Sequence, residues 1–535
     1  MNPAPEPTAD PAYRTLAGLI RQHARERPHR PALQQGEERL SYAELDALMD
    51  RVAASLQRDG LRPGDAIAIC AGASVRYAAV FLGALRAGVV VAPLAPSVTR
   101  AGFASMLADA QARWLFVDAA ALGVLGVLGV LGVLDDAADA ADAARCIALD
   151  GVAPGRAFEA WLMPEGTCPA PVDIDPAHPF NIIYSSGTTG APKGIVQSHG
   201  MRWSHVMRGA TYGYAADAVT LLATPLYSNT TLVVFFPTQA FGGCVILMEK
   251  FDAAKYLALA AQHRVTHTML VPVQYQRIMA LASFDAHDLS AFRFKFCTSA
   301  PFAATLKADV VARWPGGLVE FYGMTEGGGT CILEAHAHPA KLHTVGRPAQ
   351  GHDIRLIDDA GSELSAGDAS AIGEVVGHSA GMMSGYHRQP GKTREAEWFD
   401  ASGKRFIRTG DIGRFDADGF LTLLDRKKDM VISGGFNVYP SDLEAVLREH
   451  AAVADVAVVG VPSEQWGETP IAFVVRREGS APGADELLRW VNERVGKTQR
   501  LASLAFLDEL PRSAIGKVLK RELRDAHVAS GKALR

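Results

Sequence analysis

Tyr184-Ser-Ser-Gly-Thr-Thr-Gly-Ala-Pro-Lys-Gly194 follows a short apolar, β-branched run, Phe180-Asn-Ile-Ile183. The run reads as a strand. The eleven residues after it hold three glycines, four Ser/Thr hydroxyls and one lysine. Glycine lets the backbone approach a ligand closely and turn its N–H groups inward. Hydroxyls add donors without bulk, and Lys193 adds a positive charge. A loop of this kind answers a polyphosphate with fixed donors. It is not the Walker loop, because Lys193 follows Ala191-Pro192 and precedes Gly194 instead of sitting in Gly-Lys-Ser/Thr.

The surrounding chain sets the frame. Its 535 residues exceed what one core accommodates, so two or more domains are expected. Hydrophobic content of 48% and charged content of 21% are those of a soluble globular protein. A net charge of −5 gives no bulk affinity for nucleic acid. The cysteines Cys70, Cys146, Cys168, Cys244, Cys297 and Cys331 are scattered without metal or disulfide spacing and read mainly as reduced core residues. The proline-rich, acidic N-terminus is unlike a secretory signal, so a cytoplasmic location is expected.

Upstream of the loop, apolar spacing predicts a helix over Leu16–Arg25, and Ser41-Tyr-Ala-Glu44 is a capping box opening a helix to about Arg58. Strand-like Asp65–Cys70, helical Arg76–Gly88 and strand-like Val89–Pro93 follow. The alternation predicts a parallel sheet covered by helices. Leu-Gly-Val repeats fill residues 122–134. The apolar run from Ala119 is 16 residues long with four glycines, whereas a membrane span needs about 20. It reads as a low-complexity expansion, with no stable membrane insertion expected.

Downstream, Phe294–Pro301 reads as a strand ending in a turn, and Glu320-Phe-Tyr-Gly-Met-Thr-Glu326 is a second dense motif. Then come Arg408-Thr-Gly-Asp411, the basic Arg426-Lys-Lys428, Gly434-Gly435 and Pro511-Arg-Ser-Ala-Ile-Gly-Lys517. Ser441-Asp-Leu-Glu444 reads as another capping box, with a helix to about His450. Strands at Asp455–Val459 and Ile471–Val475, a helix over Ala484–Val495 and a short strand near Leu504–Phe506 complete a small α+β module.

These motifs, in this order, resemble the adenylate-forming superfamily of acyl-CoA synthetases, luciferases and peptide-synthetase adenylation domains. The resemblance covers about residues 14–525 and implies an α/β fold. A large N-terminal domain, 1–427, would hold parallel-sheet α/β layers plus a β-barrel-like subdomain. A small mobile α+β C-terminal domain, 428–535, would act as a lid. The resemblance further implies an ATP site at Ser185, Ser186, Gly187, Thr188, Thr189, Gly190 and Lys193 around the phosphates. Ser299, Ala300 and Pro301 would border the adenine, with Thr298 standing where glycine is usual. Glu320, Phe321, Tyr322 and Gly323 would continue that wall, with Tyr322 on the adenine. Thr325 would meet the α-phosphate, Glu326 would hold Mg2+, and Asp411 and Arg426 would meet the ribose or phosphate.

Lys517 falls at the lysine that bridges acyl carboxylate and α-phosphate, and Lys428 at the hinge. Gly434 and Gly435 would pass the pantetheine arm of coenzyme A, and Trp466 would cover its nucleotide. Tyr227, Ser228, Asn229, Gly327 and Gly328 would line the acyl pocket. Ser228 replaces a usual histidine there, and the glycines leave that wall open. The implied activity is ATP-dependent ligation of a small-molecule carboxylic acid to coenzyme A, by a monomer or homodimer. Medium-chain fatty, aryl, and short branched or hydroxy acids all fit. A stand-alone adenylation enzyme loading a carrier-protein arm, and an inactive nucleotide-binding regulator, are the other readings.

Overall fold

The computed structural model describes residues 12–125, 145–153, 155–185, 193–365, 367–368, 370–433, 436–463, 465–480, 482–513 and 516–529. Ser186–Pro192, Gly434, Gly435 and the Leu-Gly-Val repeats beyond residue 125 lie outside the described residues. Of the apolar run, Ala119–Leu125 is a helix of seven residues. No helix among the described residues is long and apolar enough to cross a membrane.

Two large sheets are built from strands between Pro31 and Pro348, with Gly385–Tyr386 added to the edge of one. One contains Ala66–Cys70, Val90–Pro93, Ala112–Val117, Cys146–Ala148 and Pro179–Ser185 as parallel neighbours. The other runs parallel through Gly317–Gly323, Phe294–Cys297, His267–Leu270, Val219–Leu222, Cys244–Leu247 and Pro31–Gln35. Their central strands are buried on both faces, and Ala66–Cys70 is buried at every position. Helices cover parallel sheets on both sides, so the strands lack the in–out alternation of a solvent-facing sheet. The helices Tyr42–Arg58 and Val75–Arg86 pack closely at Gly83, where a Cβ would lie 2.6 Å from that of Val52. The predicted capping box is present: Ser41 Oγ accepts from Glu44 N, and Ser41 N donates to Glu44 Oε2 at 2.7 Å.

A third sheet, antiparallel, has five strands: Asp353–Ile357, Gly373–His378, Glu397–Phe399, Arg405–Phe415 and Leu421–Arg426. Arg405–Phe415 pairs with three of the others, and this is the element read as barrel-like. A fourth sheet is built entirely after residue 430, with Val453–Ser463 and Gly467–Arg476 as its long hairpin. Helices Pro440–Arg448, Ala484–Asn492 and Lys520–Ala529 flank it.

The second capping box is a misreading. The helix starts at Pro440, whose missing N–H and fixed φ suit a first helical position. Ser441 therefore falls inside the first turn, where its N donates to Asp425 Oδ2 at 2.9 Å and its hydroxyl donates to Leu424 O. Glu444 turns inward to accept from Val458 N and to pair with Lys520 at 2.8 Å.

Candidate active site

The glycine-rich loop joins two antiparallel strands, Pro179–Ser185 and Lys193–Ser198, with Ser185 opposite Lys193. Its residues Ser186 to Gly190, expected to meet the phosphates, lie outside the described residues. Lys193 is described, with its Nζ 5.0 Å from the ring centre of Tyr386. Gly385–Tyr386 is a short strand on Ile195–Val196, and this pairing brings Tyr386 to the loop. The Tyr386 hydroxyl donates to Glu326 Oε1 at 2.8 Å. Glu326 is anchored again when its backbone carbonyl accepts from Met383 N at 2.8 Å. Thr325 is held through its carbonyl, which accepts from Gln197 Nε2 at 2.7 Å. Three motifs far apart in sequence thus converge: Lys193, Thr325–Glu326 and Tyr386.

A second cluster sits where the antiparallel sheet meets the parallel one. The Tyr322 hydroxyl donates to Asp411 Oδ2 at 2.8 Å, and Arg426 Nε meets Asp411 Oδ1 at 2.9 Å. Strand pairing of Asp411 with Arg426 makes this contact automatic. Burial and the Asp411 charge push the Tyr322 phenol well above its usual range, so it stays a donor. The turn at the end of Phe294–Cys297 is fixed by Thr298 Oγ1 donating to Phe321 O at 2.7 Å, and Ser299 Oγ lies 2.6 Å from Thr230 Oγ1. Ser299 has φ of 82°, a left-handed backbone uncommon outside glycine. Local strain of this kind gathers at ligand sites. Ser299, Ala300 and Pro301 therefore sit beside Phe321, Tyr322 and Gly323 at the same edge.

Lys517 comes to this cluster from the C-terminal part of the chain. Burial lowers its pKa to about 8, followed by the charges of Arg426 and Lys428, while Asp411 and Asp429 pull the other way. The turn just before it rests on the helix Pro272–Met279: a Cβ at Gly516 would lie 2.8 Å from Val273. Lys428 is itself half-buried among Asp429, Arg426, Arg521 and Asp411, and burial lowers its pKa.

Gly434 and Gly435 lie outside the described residues, between Val431–Ser433 and Phe436–Val438. Ser433 pairs with Gly467, which brings Trp466 beside that connection. Trp466 is 50% exposed and Phe436 59%, so both face outward from the C-terminal sheet.

Several expected residues have other occupations. Glu320 is not turned to the nucleotide edge: it is buried and pairs with Lys307 at 2.5 Å. Alternation puts Glu320 on the same face as Tyr322, but two residues further into the sheet, opposite the buried Cys297, where Lys307 meets it. Tyr227 hydrogen-bonds Ser97 and lies near Tyr77 and Cys70. Ser228 begins the helix Asn229–Ala240 without a side-chain cap. Gly327 and Gly328 do not leave an open wall. Their missing side chains make room for protein: a Cβ would meet Gly381 O at 2.0 Å from Gly327 and Ile407 Cβ at 2.5 Å from Gly328.

Sequence reasoning missed Tyr386, Gln197 and the basic face of the helix His199–Thr211. Asn229 Oδ1 accepts from Arg202 Nη1 at 2.8 Å, and Arg202 Nε donates to Asn181 Oδ1 at 3.0 Å. An arginine three residues into a helix carries no signal of burial, although Arg202 is 2% exposed.

Comparison with known proteins accords with this geometry. The AMP-binding enzyme family matches residues 20–387, and the AMP-binding enzyme C-terminal domain matches residues 442–517. The chain belongs to the AMP-binding family of adenylate-forming enzymes. It is 34% identical to feruloyl-CoA synthase of Amycolatopsis sp over 513 residues, covering 94% of this chain and 96% of that one. It is 31% identical to the fatty acid–[acyl-carrier-protein] ligase ScoC of Streptomyces coeruleorubidus, over 96% of this chain and 97% of the relative. The ATP-bound crystal structure of MatB from Rhodopseudomonas palustris superposes with a TM-score of 0.85 at 30% identity, covering 96% of this chain and 99% of that one.

Proposed function

We propose that this AMP-forming acid–thiol ligase joins a carboxylic acid to coenzyme A in two steps, with residues 428–535 moving as a lid between them. In the first, a carboxylate oxygen of the acid attacks the α-phosphorus of ATP. The bond from that phosphorus to the pyrophosphate oxygen breaks, leaving acyl-AMP. In the second, the thiol of coenzyme A loses its proton and attacks the acyl carbon. The C–O bond to AMP breaks, giving thioester and AMP. No protein nucleophile is required, because the mixed anhydride is already activated.

The difficulty of the first step is bringing two anions together. The observation that carries the reading is Lys517 beside the Asp411–Arg426 pair, in the electrostatic field of both. A lysine ammonium is a compact charge on a flexible stem, suited to bridging carboxylate and α-phosphate as charge builds on phosphorus. Lys193 serves the β- and γ-phosphates from the glycine-rich hairpin. Asp411 accepts the ribose hydroxyls and Tyr322 walls the adenine, with Ser299–Pro301 at the ring edge. The carboxylate of Glu326, oriented through one oxygen by Tyr386, suits Mg2+, which takes few carboxylates and completes its shell with water and phosphate oxygens. Bound there, the ion would neutralise phosphate charge.

For the second step Lys517 must leave, and rotation at Lys428 would bring the Gly434-Gly435 connection and Trp466 to the vacated edge. Hinge motions of this type gate many ligases and kinases. Acid-dependent release of pyrophosphate, followed by AMP release that requires free coenzyme A, tests the reading. Pyrophosphate release with no response to coenzyme A would favour a carrier-protein acceptor, the reading to which the likeness to ScoC gives weight.

A further inference from the structure

The helix His199–Thr211 carries Arg202, His205 and Arg208, spaced three apart, on one face. Arg202 is 2% exposed and is held by two amides, Asn181 and Asn229, with Nη1 also 3.5 Å from His205 Nδ1. Its Nη2 is buried with no hydrogen-bond partner. The Arg208 guanidinium stands 5.6 Å from the ring centre of Phe321, on the strand that carries Tyr322. His352 approaches from the opposite wall, its Nδ1 accepting from Thr330 N at 2.8 Å just past Gly327–Gly329. Met201 of the same helix packs against Gly327, so helix and wall are in contact.

No described carboxylate acts on any of these four basic groups; the Tyr212 phenol is the one acidic group that acts on Arg208. The charges acting on His205 are those of Arg202, Arg208 and His352, all of which disfavour its protonation. Burial alone lowers the Arg202 pKa, to about 9, and His352 is lowered to about 4. Among the described residues no carboxylate lies within ion-pair distance of Arg202 or Arg208, and Arg208 makes no hydrogen bond. Elsewhere the buried cations have acceptors for their donors: Arg86 has Asp46 and Asp50, Lys307 has Glu320, and Lys295 donates to the carbonyls of Trp314, Pro315 and Gly316, whereas Arg202 Nη2 has none. Burying a cation without a counter-ion costs several kcal/mol. A cost of that size is offset when an anion arrives with the ligand, and a guanidinium receives a carboxylate through two parallel hydrogen bonds.

We infer that the acid substrate carries a second anionic oxygen group at the end remote from the reacting carboxylate, and that Arg208 binds it while Arg202 positions the wall through Asn229. This assignment rests on the ligase reading above and narrows its substrate class to dianionic acids. The two carboxylates of such an acid divide between two cation sites: the reacting one goes to Lys517, the other to Arg208. His205 and His352, held neutral, offer hydrogen bonds beside it.

The test is a matched-pair substrate series with the full-length enzyme, ATP, Mg2+ and coenzyme A, reading pyrophosphate. Succinate is set against butyrate, glutarate against valerate, and 4-carboxycinnamate against cinnamate. The best dicarboxylate is expected to exceed its monoacid partner by about 100-fold in kcat/KM, the scale on which a site built for a polar group rejects an analogue lacking it. Arg208→Met is expected to bring that ratio to within about threefold of unity, and Arg208→Lys to restore part of it. Thermal unfolding of both variants at the wild-type temperature separates a specificity effect from misfolding. A monoacid that equals or beats its dianionic partner, or a ratio unmoved by Arg208→Met, overturns the assignment and leaves the ligase reading standing. No pyrophosphate from any acid overturns both.

Discussion

The phenol of Tyr386 donates to a carboxylate oxygen of Glu326 at 2.8 Å, across 60 residues of sequence. Glu326 is the carboxylate proposed to hold Mg2+, and Tyr386 would orient that ligand without being one. Burial and the Glu326 charge hold the phenol far above its usual pKa, so it remains a donor at any working pH. The same ring lies under Lys193, so one side chain fixes both a cation and an anion at the phosphate end.

Tyr386→Phe keeps the ring and removes the donor. A hydrogen bond to a charged group contributes about 1.5–3 kcal/mol, or roughly tenfold to a hundredfold. The expected result is a kcat/KM for ATP lowered by about that factor, with the Mg2+ concentration needed for half-maximal activity shifted upward. Titrating Mg2+ at saturating ATP measures it. An unchanged Mg2+ profile would detach Tyr386 from the metal site.

Lys517→Ala separates the two half-reactions. Adenylation, read as acid-dependent pyrophosphate release, should fall by about 10²–10³. Thioester formation from supplied acyl-AMP should be largely retained, because in the proposed two-step cycle Lys517 has no part in the second step. Equal loss in both assays would remove the division of labour. The complementary change, Lys428→Pro, stiffens the hinge and should harm the thioester step more than adenylation.

Lys517 also predicts a pH profile. Burial places its pKa near 8 instead of the 10.5 of a free lysine. The charged form is the useful one, so it is fully present below about pH 7 and lost as pH rises through 8. The kcat/KM for ATP, which reports the free enzyme, should therefore decline on its alkaline side near pH 8. Lys517→Arg should move that limb upward, since a guanidinium does not deprotonate in this range. A limb that stays near 8 in this variant belongs to another group.

Much of this architecture is legible from residue order, and the exceptions share a cause. Parallel strands such as Ala66–Cys70 and Phe294–Cys297 announce themselves as short apolar runs between helical patterns. The motif residues Tyr322, Asp411 and Arg426, far apart in sequence, form one cluster. What escapes is anything set by side-chain partners distant in sequence. Ser441 and Glu444 have capping-box spacing, yet Pro440 starts the helix and both side chains serve tertiary contacts. Gly327 and Gly328 look like an open wall until Gly381 and Ile407 are seen pressed against them. Tyr386 lies in a stretch with no periodicity, and only its pairing with Ile195 brings it to the loop.

Glu320 gives the sharpest test of that distinction, because motif order assigns it to the nucleotide and geometry assigns it to the core. Its carboxylate is 5% exposed as a residue and pairs with Lys307, itself 2% exposed. Burial pushes the carboxyl above its usual range even with that lysine against it, which marks a pair held at a desolvation cost. Removing one partner strands the other, so Glu320→Gln should destabilise the fold by about 3–5 kcal/mol. Replacing both, as Glu320→Leu with Lys307→Met, should recover most of that loss, because apolar residues of similar volume need no counter-charge. Chemical denaturation of the single and double variants measures the coupling. The KM for ATP of the double variant should stay within about twofold of wild type, since surface-to-core substitutions that spare the site leave binding energy intact. A tenfold rise in that KM with restored stability would instead return Glu320 to the nucleotide site.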